Sequence, residues 1–278
     1  MAAPVSLVGL KADQFRHPLD QQATQALKQL PGMDILVRNL LAPVAEPVFY
    51  LENISSSLLV SPKQLPELHQ LLLQACQILD VEVPQLYVRQ NPVPNAYTLA
   101  MRGKQPFIVI HTSLLDLLTP AEIQAVIAHE LGHLKCEHGV YLTLANLILL
   151  AAGQLSPWGT ILAQGMQTQL MQWLRCAELT CDRAALLVAQ DARVVASVLM
   201  KLCGGSRTYQ NQLNLDAFLA QAKAYSQYRD QWGDLYKDVQ TAQLTHPLPV
   251  LRAWELLNWF DSPAYGQLLR TYTRKSLI

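Results

Sequence analysis

The residues most able to do chemistry are His129-Glu130-Leu131-Gly132-His133. A spacing of four puts both imidazoles on one face of a helix, one turn apart, where both can reach a single Zn²⁺ at ~2.0–2.1 Å. Glu130 stands beside them and is placed to take a proton from zinc-bound water without coordinating. The helix that must carry this motif starts upstream at Thr119-Pro120-Ala121-Glu122. There Thr119 serves as N-cap, Pro120 fills the first helical position, and Glu122 sits three residues beyond the cap.

A hydrolytic zinc site needs a third protein ligand and an open fourth position. Glu137 and His138 are close in sequence, but either would have to bend back toward a metal that faces His129. The extended pattern His-Glu-x-x-His-x-x-Gly-x-x-His is broken, because Cys136 and Gly139 occupy its Gly and last His places. A more distant helical stretch runs from Arg175 to Asp182 and sets Glu178 and Asp182 four apart on one face. Two readings follow. The pair is a solvated acidic spot partnered by Arg175 and Arg183, or Glu178 is the third ligand and Asp182 hydrogen-bonds a ligand imidazole and fixes its tautomer.

These stretches together resemble the M48 family of zinc metallopeptidases. His129 to His133 is similar to the family's helix motif, and Arg175 to Asp182 to its Arg-x-x-Glu-x-x-x-Asp segment. His246-Pro247 followed by Arg252 is similar to its His-Pro-x-x-x-x-Arg element, and Asn95-Ala96-Tyr97 to its Asn-Ala-aromatic sequence. The likeness covers about residues 60 to 258, in the family's order. The opening Ser6 to Asp13 looks closest to a subgroup from cyanobacteria and plastids. The resemblance implies a zinc metalloendopeptidase with one Zn²⁺ per chain on His129, His133 and Glu178. It implies Glu130 as general base, with Asp182, Arg175 and Arg252 supporting the ligands. His246 is then a candidate to stabilise an oxyanion, or else a helix-boundary residue before Pro247. Asn95 to Leu99 reads as an edge strand, with Asn95, Ala96 and Tyr97 able to pair with an extended substrate, or as a structural hairpin only.

The elements that must hold these residues follow from periodicity. Pro62 to Leu79 is an amphipathic helix, and Leu19 to Leu41 a helix interrupted at Pro31-Gly32. Val44 to Val60 reads as irregular or short strand. Gln85 to Val88, Ala96 to Met101 and Pro106 to His111 read as strands, the last two forming a hairpin around Arg102 to Gln105. Beyond Thr119 the pattern is helical, with breaks at Gly153 to Gly159, Gly204-Gly205 and His246 to Pro249. The expectation is a mostly helical, zincin-like α+β fold with a small antiparallel sheet. Residues 1–60 form an N-terminal extension packing on a catalytic domain of residues 61–278.

Composition narrows the partners. The 278 residues carry no net charge and 15% charged residues, which excludes a disordered polyelectrolyte and argues against nucleic acid. Five cysteines without a C-x-x-C pair exclude a small disulfide scaffold and argue against a cysteine zinc site. His17, His69 and His111 have no partner at a recognisable spacing and read as ordinary surface or core residues. An uncharged run, Gly139 to Leu174, spans 36 residues, but its apolar part, Val140 to Ala152, is short of the ~20 residues a spanning helix needs. The N-terminus has no signal-peptide pattern. The expected location is cytoplasmic or peripheral to a membrane through residues 139–174, with a protein or peptide as substrate. The alternative is a zinc-stabilised, membrane-associated scaffold without turnover, for which Glu130 would have no use.

Overall fold

The computed structural model describes residues 4–29, 45–99, 106–139, 157–241 and 248–275. Within them the fold is mostly helical with one small sheet. The sheet holds β1 (Leu58–Leu59), β2 (Gln85–Arg89), β3 (Ala96–Leu99) and β4 (Phe107–His111), in the order β1-β2-β4-β3. The expected hairpin is present: β3 and β4 pair antiparallel, Ala96 opposite Ile110 and Leu99 opposite Phe107. Its turn, 100–105, lies outside the described residues. β2 joins the other edge of β4 in parallel, so the sheet is mixed.

β4 is buried at all five positions, which is why it reads as a continuous apolar run. Alternation sends Ile108 and Ile110 to the main core and Phe107 and Val109 to a smaller cluster with Tyr87, Tyr50, Tyr97 and Leu99. β3 is the outer strand, and its Ala96 and Thr98 point to the opposite face from Tyr97 and Leu99.

Helices α1 (Pro18–Lys28), α2 (Ala45–Ser56) and α3 (Pro66–Leu79) precede or interleave with the sheet. A short α4 (Thr112–Leu117) leads into α5 (Pro120–Lys135), followed by α6 (Pro157–Ala189), α7 (Ala192–Gly204), α8 (Leu215–Thr241), α9 (Pro249–Phe260) and α10 (Pro263–Lys275). The start of α5 follows the capping-box expectation. The Thr119 backbone N–H donates to Glu122 Oε2 at 2.7 Å, while Thr119 Oγ1 accepts from the Glu122 N–H at 3.5 Å. Glu122 is also buried and accepts from Lys201 Nζ at 2.6 Å and Ser197 Oγ at 2.6 Å, so the beginning of α5 is tied to α7. The expected break at Gly204-Gly205 is where α7 ends. A Cβ on Gly205 would lie 2.5 Å from the Lys201 carbonyl oxygen.

The region 44–60 departs from its sequence reading. Among its described residues, 45–60, the short strand is present as β1, but Ala45–Ser56 is the helix α2 and not irregular chain. Its apolar residues make no clear stripe, and the turn that closes it is held by Ser55 and Ser56, whose hydroxyls both donate to the Glu52 carbonyl. The N-terminal residues are part of the main core: Leu7, Leu10 and Phe15 are buried with α3 and α6 side chains. Among the described residues, no helix is long and apolar enough to cross a membrane. Much of the uncharged run, residues 140–156, lies outside the described residues.

Candidate active site

α5 and α6 cross at Gly132, the glycine between the two histidines. A Cβ there would stand 2.9 Å from Ala184 Cβ and 3.1 Å from Cys181 Cα. Only a residue without a side chain allows this approach, and the approach brings Glu178 and Asp182 of α6 against the histidines of α5. His129 Nε2 lies 3.4 Å from Glu178 Oε2, and His133 Nε2 lies 3.3 Å from Glu178 Oε1. Glu178 is buried, as are His133, Glu130 and Asp182. The solvated-spot reading of Glu178 and Asp182 therefore does not describe this structure.

Behind His129, its Nδ1 is 3.1 Å from Asp182 Oδ1. Arg252 of α9 grips the same carboxylate, donating from Nε to Oδ2 at 2.8 Å and from a terminal nitrogen to Oδ1 at 2.6 Å. A second terminal nitrogen of Arg252 lies 3.4 Å from Glu178 Oε2. Burial would raise the Asp182 pKa, but Arg252 and the His129 hydrogen bond prevail and hold it below the usual carboxylate range. An ionised Asp182 can only accept, so His129 Nδ1 carries the donated hydrogen and Nε2 is directed at Glu178. Burial also opposes charge on His129, yet Glu178 and Asp182 outweigh it and lift the imidazole to about 10. The pocket thus favours a positive charge between His129 and Glu178.

Glu130 is oriented by a residue that the sequence reading passed over. The Thr98 hydroxyl of β3 donates to Glu130 Oε2 at 2.7 Å. A cavity of about 340 Å³ opens at this point. His129, Glu130, Glu178, Asp182 and Arg252 line one side, and Leu114, Val126, Val195, Val198, Leu199 and Leu202 form an apolar wall. Pro94, Asn95 and Ala96 lie along its rim, whereas the Tyr97 side chain turns away and donates its hydroxyl to Asn53 Oδ1 at 2.6 Å. Arg175, one turn before Glu178, is half-buried. His246 lies outside the described residues.

Two imidazoles and a carboxylate converging on one point form a donor set suited to Zn²⁺. Cys181 is a further candidate, since its sulfur and one nitrogen from each of His129 and His133 lie within 4.8 Å of one another. Its thiol is fully buried, which pushes its pKa well above the ordinary range, and it is not among the residues that line the cavity.

The sequence profile of Peptidase family M48 matches residues 62–260. The chain belongs to peptidase family M48. It is also 54% identical over 276 residues to the Plastoglobule-localized metallopeptidase 48, chloroplastic, of Arabidopsis thaliana, covering 99% of this chain and 80% of that protein. Protease HtpX homolog 2 of Methanosarcina acetivorans is 29% identical over 170 residues, covering 52% of this chain and 58% of the relative. Protease HtpX homolog of Moorella thermoacetica is 28% identical over 171 residues, covering 52% and 57%. This M48 chain is accordingly a metallopeptidase, and the buried His–His–carboxylate group lies within the matched region.

Proposed function

We propose that this chain is a zinc-dependent endopeptidase whose Zn²⁺ is held by His129, His133 and Glu178. The observation that carries the reading is the convergence of both Nε2 atoms on the two oxygens of one buried carboxylate, at 3.3 and 3.4 Å, beside a cavity. Glu178 is preferred to Cys181 as third ligand because its two oxygens face both Nε2 atoms and it lines the cavity, whereas Cys181 is not among the lining residues. When bound, Zn²⁺ supplies Lewis-acid polarisation of a substrate carbonyl and lowers the pKa of water to ~7.

The remaining roles belong to the protein. Glu130, held by the Thr98 hydroxyl at the cavity edge, accepts a proton from water and delivers it to the leaving amine. Such acid–base help is worth ~10²–10⁴-fold in rate. Asp182 orients His129 and is itself locked by Arg252. The outward backbone edge of β3 at Ala96 is available to align an extended peptide, while the Asn95 carbonyl accepts from the His111 N–H at 3.0 Å. The apolar wall favours a bulky aliphatic or aromatic side chain beside the cleaved bond. His246 is the candidate to stabilise the oxyanion.

Glu130→Gln should retain one Zn²⁺ per chain and lose ~10²–10⁴-fold in peptide cleavage. His133→Ala should lose both metal and cleavage. Metal analysis with a peptide-library assay checks both. Equal cleavage by wild type and Glu130→Gln would defeat the assigned base, and full zinc in His133→Ala would defeat the ligand set.

A further inference from the structure

His138 has no part in the chemistry above, yet it is fully buried against a proposed ligand. α5 ends at Lys135, and two residues later Glu137 adopts φ +58°, the left-handed region. That conformation costs a residue with a Cβ roughly 1–2 kcal/mol. Its effect is to swing His138 back along the helix it has just left. The imidazoles of His133 and His138 meet at 5.3 Å between centroids, with their Nδ1 atoms 3.2 Å apart.

The far nitrogen of His138, Nε2, lies 3.1 Å from Asp20 Oδ2 of α1. Asp20 is fully buried and accepts from Thr24 Oγ1 at 2.9 Å, Thr180 Oγ1 at 2.7 Å and Arg16 at 3.1 Å. Each hydroxyl has an upstream donor that leaves its own hydrogen for Asp20: Trp173 Nε1 donates to Thr24, and the His17 backbone N–H donates to Thr180. A carboxylate with this many donors is ionised and can only accept; Arg16 Nη1 directs its hydrogen to Asp20 at 3.1 Å rather than to His138 Nε2 at 3.3 Å, so Nε2 carries the hydrogen that reaches Asp20. A neutral imidazole has one N–H, which leaves His138 Nδ1 as an acceptor. Asp20 is already paired with the Arg16 guanidinium at 3.1 Å, and that same cation stands 3.3 Å from His138 Nε2, so a second proton on His138 would have no carboxylate of its own to balance it. The short contact between the Nδ1 atoms is then satisfied when His133 donates from Nδ1. His133 Nε2 is thereby the unprotonated nitrogen, and it is the one facing Glu178 at 3.3 Å. Cys181 Sγ also lies near His138 Nδ1, but at 3.7 Å and as a weaker donor.

We infer that Asp20 and His138 are positioning residues that fix the tautomer of His133 and so present its Nε2 to the metal. The inference rests on the reading of His133 as a ligand. It gives the N-terminal segment, outside the region matched by the family profile, a share in the metal site.

The test uses the full chain with isotopically labelled histidine, substituted with cadmium so that metal–nitrogen couplings can be read by NMR. Coupling should appear at His133 Nε2, with hydrogens on His133 Nδ1 and His138 Nε2. His138→Phe keeps a ring beside Trp173 but removes both nitrogens. It should bind zinc ~10–100-fold more weakly in a chelator competition, the usual scale for losing such a support, while Cys181→Ala should bind as wild type does. A hydrogen on His138 Nδ1, or unchanged zinc affinity in His138→Phe, would overturn the relay while leaving His133 a ligand. Absence of cadmium coupling at His133 would overturn the ligand assignment and the relay with it. The wild-type spectrum decides the tautomer whether or not the variant folds.

Discussion

The two histidines of one helix are supported in opposite ways. His129 rests directly on a carboxylate, Asp182, which Arg252 neutralises from α9. His133 rests on another imidazole, and its carboxylate, Asp20, stands one ring further back against Arg16. The difference has an electrostatic logic. Glu178 already places one negative charge between the two Nε2 atoms, and Arg252 is within 3.4 Å to balance it on the His129 side. A second carboxylate directly behind His133 would have no comparable cation. Interposing neutral His138 keeps the hydrogen-bonding function of an acid while moving its charge to a place where an arginine meets it.

The largest expected effect breaks the His129 side. Arg252→Met removes the cation shared by Asp182 and Glu178, and leaving buried carboxylates uncompensated should cost ~3–5 kcal/mol in urea unfolding of the metal-free protein. A loss below 1 kcal/mol would mean that this clamp is not the principal balance of charge.

Gly132→Ala attacks both sides at once by forcing α5 and α6 apart at their closest approach. The cost should be ~3 kcal/mol, the upper end for overpacking, because one of the nearest atoms is backbone. Zinc affinity should fall with it, measurable by the same chelator competition. Wild-type stability and affinity would show that the crossing relaxes without disturbing the ligands.

The smallest expected effect concerns the His133 side and is read with pH. Burial would raise the Asp20 pKa, but His138, Thr180 and Arg16 outweigh it and hold it at about 2, below the 3.8 of a free side chain. The folded state therefore binds fewer protons than the unfolded chain between these values. The contribution, about 2 kcal/mol, is present above pH 3.8 and is lost as the pH falls through about 2. The stability gap between wild type and Asp20→Asn should narrow over that window in denaturant titrations. A gap independent of pH would place the effect elsewhere.

The sequence exposes these two sides unequally. His129, Glu130 and His133, the Thr119–Glu122 cap, and the Glu178–Asp182 spacing are all legible because each depends on neighbours within one helical turn or two. The Arg252 contact to an acidic group was reachable through resemblance alone, because α9 docks on α6 only in the folded chain. The Asp20–His138 pair was not legible. His138 looks badly placed on an ideal helix, and only the left-handed Glu137 turns it toward His133. Its acid partner is 118 residues away. Thr98 was hidden for a related reason: a threonine in a strand is ordinary until α5 packs beside it and the hydroxyl meets Glu130. In the fold itself, the helix at Ala45–Ser56 was missed because its apolar residues carry no clear period.

The buried contact of Glu122 with Lys201 and Ser197 has a consequence for selectivity. Glu122 begins the helix that carries His129 to His133, and Lys201 and Ser197 lie on the helix whose Val195, Val198, Leu199 and Leu202 form the apolar wall. Reactive group and wall are therefore fastened to each other at one end, like the fixed jaw and the scale of a caliper. On the proposed function, a peptide in the cleft would meet a wall held at a set distance, and its fit would turn on the size of the side chains projecting into the gap. Changing what this chain cleaves should require resizing those side chains, with the pairing of Glu122 left intact.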